Sequence, residues 1–283
     1  MGEVATSISV MTGLGLTFGS ILALAYRFLR VEEDPRLEVV EELLPGNNCG
    51  ACGQPGCAAF AQKVVEGELT PGKCTVADAD TLDDLASLLG VDVGAEEKQI
   101  ARLKCAGGLS NVRNLAHYQG MESCRAAAVV DGGALACAWG CLGLDDCARA
   151  CTFDAIEMND DALPVVQPEL CSACNDCVEV CPQDLFVLLP ESQRLFVQCN
   201  TPLTGEAATS RCRVACDACA RCALDAPEGT VEMVDGLPIV HYDLDVLPGP
   251  EATWRCPTGA IQWLWDKQFE EPVEIFPVRR KRA

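Results

Sequence analysis

The first pattern along the chain is an unbroken apolar run. Residues Val4 to Tyr26 carry no charged side chain and include Ile8, Val10, Leu14, Leu16, Phe18, Ile21, Leu22 and Leu24. A helix of that length crosses a hydrocarbon core of about 30 Å, so the pattern predicts a transmembrane anchor over residues 1–30. Glu3 precedes the run and Arg27 and Arg30 follow it, a bias that leaves the bulk of the chain on the cytoplasmic side. A cleaved signal peptide is the competing reading, and it wants a basic n-region that this sequence lacks. Gly15 and Gly19 form a GxxxG pair, which either admits a second membrane helix or reflects only how common glycine is in such helices.

Beyond an acidic amphipathic stretch from Val31 to Leu44, the pattern turns short-ranged. Thr81 to Lys104 reads as helix and turn, with Thr81-Leu-Asp-Asp84 resembling a capping box ahead of Leu85, Leu88 and Leu89. Farther on, Ala155-Ile-Glu-Met-Asn-Asp-Asp-Ala-Leu-Pro-Val-Val166 recurs, one residue shorter, as Thr230-Val-Glu-Met-Val-Asp-Gly-Leu-Pro-Ile-Val240. Self-similarity of this kind marks a duplicated unit. The expected fold is therefore α+β: the anchor, a small α-helical domain over 31–90, a connecting segment over 91–136, two related units over 137–198 and 199–270, and a basic tail over 271–283. That tail, Val278-Arg-Arg-Lys-Arg282, either touches anionic lipid or is a solvated terminus.

Composition narrows the chemistry. The 283 residues include 20 cysteines and only two histidines, His117 and His241, so thiolates are the intended ligands. A disulfide scaffold would be shorter and secreted. Aromatic residues make up only 5%, and ligation, which supplies folding free energy in small metal domains, stands in for a large core. The net charge of −21 argues against nucleic acid as a partner and for docking to basic surfaces. Lys63, Lys73 and Lys104 are the candidates for a local basic patch on this acidic surface.

The cysteine spacing is more specific still. Cys171-Ser-Ala-Cys174-Asn-Asp-Cys177-Val-Glu-Val-Cys181-Pro182 is the bacterial ferredoxin run, in which three cysteines hold one [4Fe–4S] cube and the fourth crosses over to another. Cys137, Cys141, Cys147 and Cys151 form the partner run, stretched in its first two intervals. Crossover then groups Cys137, Cys141, Cys147 and Cys181 in one set, and Cys171, Cys174, Cys177 and Cys151 in the other. Zinc sites use paired CxxC motifs around a longer spacer and match these runs poorly. Nearer the anchor, Cys49, Cys52, Cys57 and Cys74, separated by two, four and sixteen residues, make a second kind of cluster motif, where zinc stays open as the alternative. Aligning the repeat puts Cys216, Cys219, Cys222 and Cys256 in a second, degenerate ferredoxin unit that keeps one cluster, with Ala226 where Cys151 stands. Four cubes result. Cys105, Cys124, Cys199 and Cys212 remain, either a fifth cube or small buried apolar side chains.

The order of parts now resembles a known family. One membrane helix, then LPGNNCGACGQPGC with its distant Pro71-Gly-Lys-Cys74, then GCLGLDDCARAC and CSACNDCVEVCP, resembles the B subunits of the Rnf complexes, the ion-translocating ferredoxin:NAD oxidoreductases, in their longer, polyferredoxin form. The resemblance implies a single-pass protein of the bacterial inner membrane that takes electrons from soluble ferredoxin and relays them to membrane subunits. Nicotinamide and flavin chemistry then belongs to other subunits, in keeping with the lack of a GxGxxG after a strand or a P-loop here. Two alternatives stay open: a membrane-anchored polyferredoxin serving a redox regulator or nitrogenase, and a zinc scaffold without redox activity.

Overall fold

The computed structural model describes residues 2–29, 34–95, 97–242, 246–265 and 267–269; the basic tail expected at 271–283 lies outside them. The apolar run forms helix α1, Gly2–Leu29, whose Ile8–Phe28 stretch has a mean hydropathy of 1.8 and is not buried against the rest of the chain. Hydroxyls within it bond backward, Thr6 to the Gly2 carbonyl, Thr12 to Ile8 and Ser20 to Leu16. Such backward bonds satisfy the hydroxyls within the helix itself.

Three helices follow, α2 at Pro35–Leu43, α3 at Cys57–Val65 and α4 at Ala79–Leu89. Val40, Leu44, Phe60, Ala61, Val64 and Leu85 form their shared core, and Cys52, Cys57 and Cys74 pack against it. The cap of α4 differs from the expected capping box. Asp78, not Thr81, is the N-cap, its carboxylate accepting the Thr81 amide at 2.8 Å, because the helix starts one turn earlier than the leucine spacing implies.

The rest of the chain is two units of one topology. In the first, β1 (Gln99–Leu103) pairs antiparallel with β4 (Phe186–Pro190) and encloses the hairpin of β2 (Ile156–Met158) and β3 (Pro164–Val166). Between these strands run α5 (Gly108–Asn111), α6 (Cys124–Val129), α7 (Asp146–Ala150) and α8 (Asp176–Val180). In the second, β5 (Leu195–Val197) pairs antiparallel with β8 (Ile261–Trp263) around the hairpin of β6 (Val231–Val234) and β7 (Leu237–Val240), with α9 (Gly205–Thr209) and α10 (Arg221–Asp225) among them. The pairing cuts across the expected boundaries: β1 comes from the supposed connecting segment at 91–136, and β5 ends the 137–198 region yet belongs with β8. The reason is burial. Four of the five β1 residues are buried, and a strand with that much apolar surface cannot stay in a linker. A side-chain tie joins the units: buried Gln268 accepts from the Leu103 amide at 2.8 Å and donates to its carbonyl at 3.0 Å, closing the free edge of β1.

Candidate iron–sulfur centres

Four cavities are each rimmed by four cysteines. The first, of about 350 Å³ with its mouth included, is lined by Cys49, Cys52, Cys57 and Cys74. The Asn48 side chain shapes it, accepting the Cys57 amide at 2.8 Å. The second, about 330 Å³, gathers Cys151, Cys171, Cys174 and Cys177, and the third, about 310 Å³, gathers Cys216, Cys219, Cys222 and Cys256. The loops rimming these two are built alike. Ala173 and Asn175 in one, and Ala218 and Ala220 in the other, hold positive φ angles of 57° to 78°. Left-handed residues turn the backbone tightly between ligands, at a cost of about 1 kcal/mol for each alanine held there.

The remaining cavity, about 320 Å³, corrects the expected grouping. Its four thiols are Cys124, Cys141, Cys147 and Cys181, so Cys124 occupies the place assigned to Cys137. Asp146 is the cause. Beside Cys147, its carboxylate accepts the Ser123 hydroxyl at 2.9 Å and the Arg125 amide at 3.2 Å, pinning the start of α6 to α7, while the Leu144 and Asp146 amides face the Cys124 sulfur. Cys137 is drawn elsewhere. Asn114 bridges Leu135 and the Ala136 amide bonds the Arg113 carbonyl at 2.8 Å, while Val112 bridges Cys212. Cys137 therefore lies among Cys105, Cys199 and Cys212, and the set Cys105, Cys124, Cys199 and Cys212 expected as the leftovers does not assemble.

The donors suit an iron–sulfur cube better than a lone ion. Among the described residues, no three Cys, His, Asp or Glu side chains converge on a point as a single-metal site requires; the sulfurs ring a space instead. The walls are apolar, with Leu103, Leu142, Leu185 and Phe186 around the Cys141 cavity. Backbone amides aim at sulfur: Ala155 at Cys151, 3.3 Å, and Val76 and Ala77 at Cys74. Burial pushes the thiols of Cys147 and Cys216 up to about 12 and that of Cys222 to about 11. Such groups give up their protons when a metal replaces them. Of the lysines read as a docking patch, Lys63 is already engaged by Glu68 and, at 4.0 Å, by Glu66, which leaves it little positive field to offer a partner.

Comparison with known proteins agrees with this chemistry. Residues 44–76 match a family model described as "Putative Fe-S cluster", and residues 164–186 match a "4Fe-4S binding domain". The chain is 34% identical over 256 residues to the B subunit of an ion-translocating oxidoreductase complex of Methanosarcina acetivorans, covering 90% of this chain and 97% of that one. It is 33% identical over 265 residues to the B subunit of a proton-translocating ferredoxin:NAD(+) oxidoreductase complex of Clostridium ljungdahlii, covering 93% of each. Against the B subunit of the Na(+)-translocating ferredoxin:NAD(+) oxidoreductase complex of Acetobacterium woodii the identity is 38% over 216 residues, 76% of this chain and 65% of the relative. With likeness running through nearly the whole length of two relatives, and with thiol-rimmed cavities in both matched regions, the chain belongs to the family of B subunits of the ion-translocating ferredoxin:NAD oxidoreductase, or Rnf, complexes.

Proposed function

We propose that this protein is the iron–sulfur relay subunit of an ion-translocating ferredoxin:NAD oxidoreductase, carrying electrons between soluble ferredoxin and the other subunits of its complex. The observation that carries the reading is that sixteen cysteines rim four separate apolar cavities, four to each. Each cavity would hold one [4Fe–4S] cube, on Cys49, Cys52, Cys57 and Cys74; on Cys151, Cys171, Cys174 and Cys177; on Cys124, Cys141, Cys147 and Cys181; and on Cys216, Cys219, Cys222 and Cys256. When bound, a cube accepts and returns one electron at a potential set by burial and by hydrogen bonds to its sulfurs. The chain supplies those settings and the spacing. Thr75, next to Cys74, donates to the carbonyl of Ser172, next to Cys171, at 2.6 Å, so the first two sites abut. α7 and α8, which carry Cys147 and Cys177, pack against each other and join the Cys147 site to the Cys177 site.

The two strand-and-hairpin units are read as ferredoxin-like repeats, the second having kept a single cluster. α1 is read as the single span that ties the relay to the bilayer of the bacterial cytoplasmic membrane, with Arg27 at its inner end and the bulk of the chain in the cytoplasm. The test is iron and acid-labile sulfide per chain on the full protein purified without oxygen, with spectra before and after reduction. At least about sixteen irons, at four per cube, are expected, with the paramagnetic signals of reduced clusters. Stoichiometric zinc with almost no iron would refute the relay.

A further inference from the structure

Four cysteines lie outside the four cavities, and the fold draws them together from four separate segments. The Ala106 amide bonds the Gln198 carbonyl at 3.1 Å, which brings Cys105 beside Cys199. The Val112–Cys212 bridge and the bond from the Arg113 amide to the Arg211 carbonyl, 2.8 Å, lay Cys212 alongside. The Arg211 guanidinium then donates to the Ala136 carbonyl at 3.1 Å, and Cys137 follows. Two glycines lie against the sulfurs. A Cβ on Gly107 would stand 3.4 Å from the Cys212 sulfur and 3.5 Å from that of Cys105, and one on Gly140 would stand 3.4 Å from the Cys137 sulfur and 3.7 Å from that of Cys105. Cys105 and Cys212 are buried, and Ala106, Ala208, Val214 and Leu203 make the wall around Cys199 and Cys212.

We infer that Cys105, Cys137, Cys199 and Cys212 hold a fifth [4Fe–4S] cluster at the seam between the two units, an assignment that rests on the relay reading above. Three observations favour a cube over a zinc ion. The set resembles the four cavities in having four thiols, apolar walls and amides aimed at sulfur: Gly107 and Cys141 donate to Cys105 at 3.4 and 3.3 Å, and Cys216 donates to Cys199 at 3.3 Å. The sulfurs do not converge on a point, as a single ion would need. Two of those amides belong to ligands of neighbouring sites, Cys141 on one side and Cys216 on the other. The fifth site thus stands one hydrogen bond from each, between the unit with two clusters and the unit with one, where the relay otherwise has a gap.

The test uses the full-length protein purified without oxygen, with iron, acid-labile sulfide and zinc measured per chain and the spins integrated after full reduction by dithionite. The unaltered chain should carry about twenty irons, at four per cube, and no zinc. Cys199→Ala and Cys212→Ala, separately and together, should each leave about sixteen, because they empty the same site. About sixteen irons in the unaltered chain, with or without one zinc, would overturn the fifth cluster while leaving the relay intact; near-zero iron would overturn both. The count on the unaltered chain decides the matter even where a variant fails to fold.

Discussion

The exchange of Cys124 for Cys137 is open to a sharp test. If Cys124 and Cys137 serve different sites, replacing each by alanine removes one cluster, and replacing both removes two. Expressed as iron, Cys124→Ala and Cys137→Ala should each lose about four atoms per chain and the double variant about eight. The grouping that spacing alone suggests makes another forecast: Cys137→Ala loses four, and the double variant loses four plus whatever Cys124 serves elsewhere. Two readings are needed to separate them. The first is which signals vanish, since Cys124 shares its cavity with Cys141, Cys147 and Cys181, whereas Cys137 interacts with Cys199. Cys124→Ala combined with Cys141→Ala should therefore lose only about four irons, and Cys124→Ala combined with Cys199→Ala about eight. The second is an independent handle on the same cavity. Ser123→Ala removes the 2.9 Å bond to Asp146 that steadies the start of α6, and it should lower iron retention at this site without touching the others. If Cys124→Ala combined with Cys141→Ala loses eight irons, or Cys124→Ala loses none, the exchange is wrong.

Other outcomes follow from the same geometry. Gln268→Met keeps the bulk but orphans the Leu103 amide and carbonyl, at about 1–3 kcal/mol for each buried group; hydrogen exchange at the β1 amides should quicken roughly 30-fold or more, at about 1.4 kcal/mol per factor of ten, and unchanged exchange would refute the strap. Gly143 has φ +70°, and a Cβ there would meet the Ala162 Cβ at 2.9 Å and its carbonyl oxygen at 3.0 Å. Gly143→Ala should thus cost about 1–2 kcal/mol for the left-handed backbone alone, read as a lower melting temperature and weaker iron retention at the Cys141 site; a protein that melts and holds iron as before would contradict it. The Asp78 carboxyl is held below its ordinary 3.8 by the hydrogen bond from Thr81. A depressed carboxylate stabilises above its unfolded pKa and loses that contribution as pH falls through the folded value. The protection that Asp78 gives the Thr81 amide, measured against Asp78→Ala, should be full at neutral pH and fade below 3.8; a difference that persists in stronger acid would argue against the cap.

The sequence by itself determined the parts whose physics is local. An uncharged apolar run long enough for a bilayer can be read without a fold, and helix α1 spans it. Three cysteines at intervals of two residues chelate through a single loop, so Cys171, Cys174 and Cys177 could be grouped from spacing, as could Cys216, Cys219 and Cys222, and each set meets in one cavity. The duplicated segment was legible for the same reason, and the structure folds each copy into a hairpin, β2–β3 and β6–β7, whose strands are neighbours in the chain as well as in space.

Only the tertiary structure decided which distant sulfur completes a set. Spacing assigned Cys137 to the set of Cys141, Cys147 and Cys181, whereas the fold brings Cys124 there through backbone bridges between Val112 and Cys212 and between Asn114 and Leu135, with Asp146 as a clamp on α6. Strand partners follow the same logic, since β1 meets β4, and β5 meets β8, across long loops. Spacing encodes chelation within a loop, where few conformations compete. Contacts between remote segments are chosen by the burial and hydrogen bonding of everything between them, and no short window of sequence contains that sum.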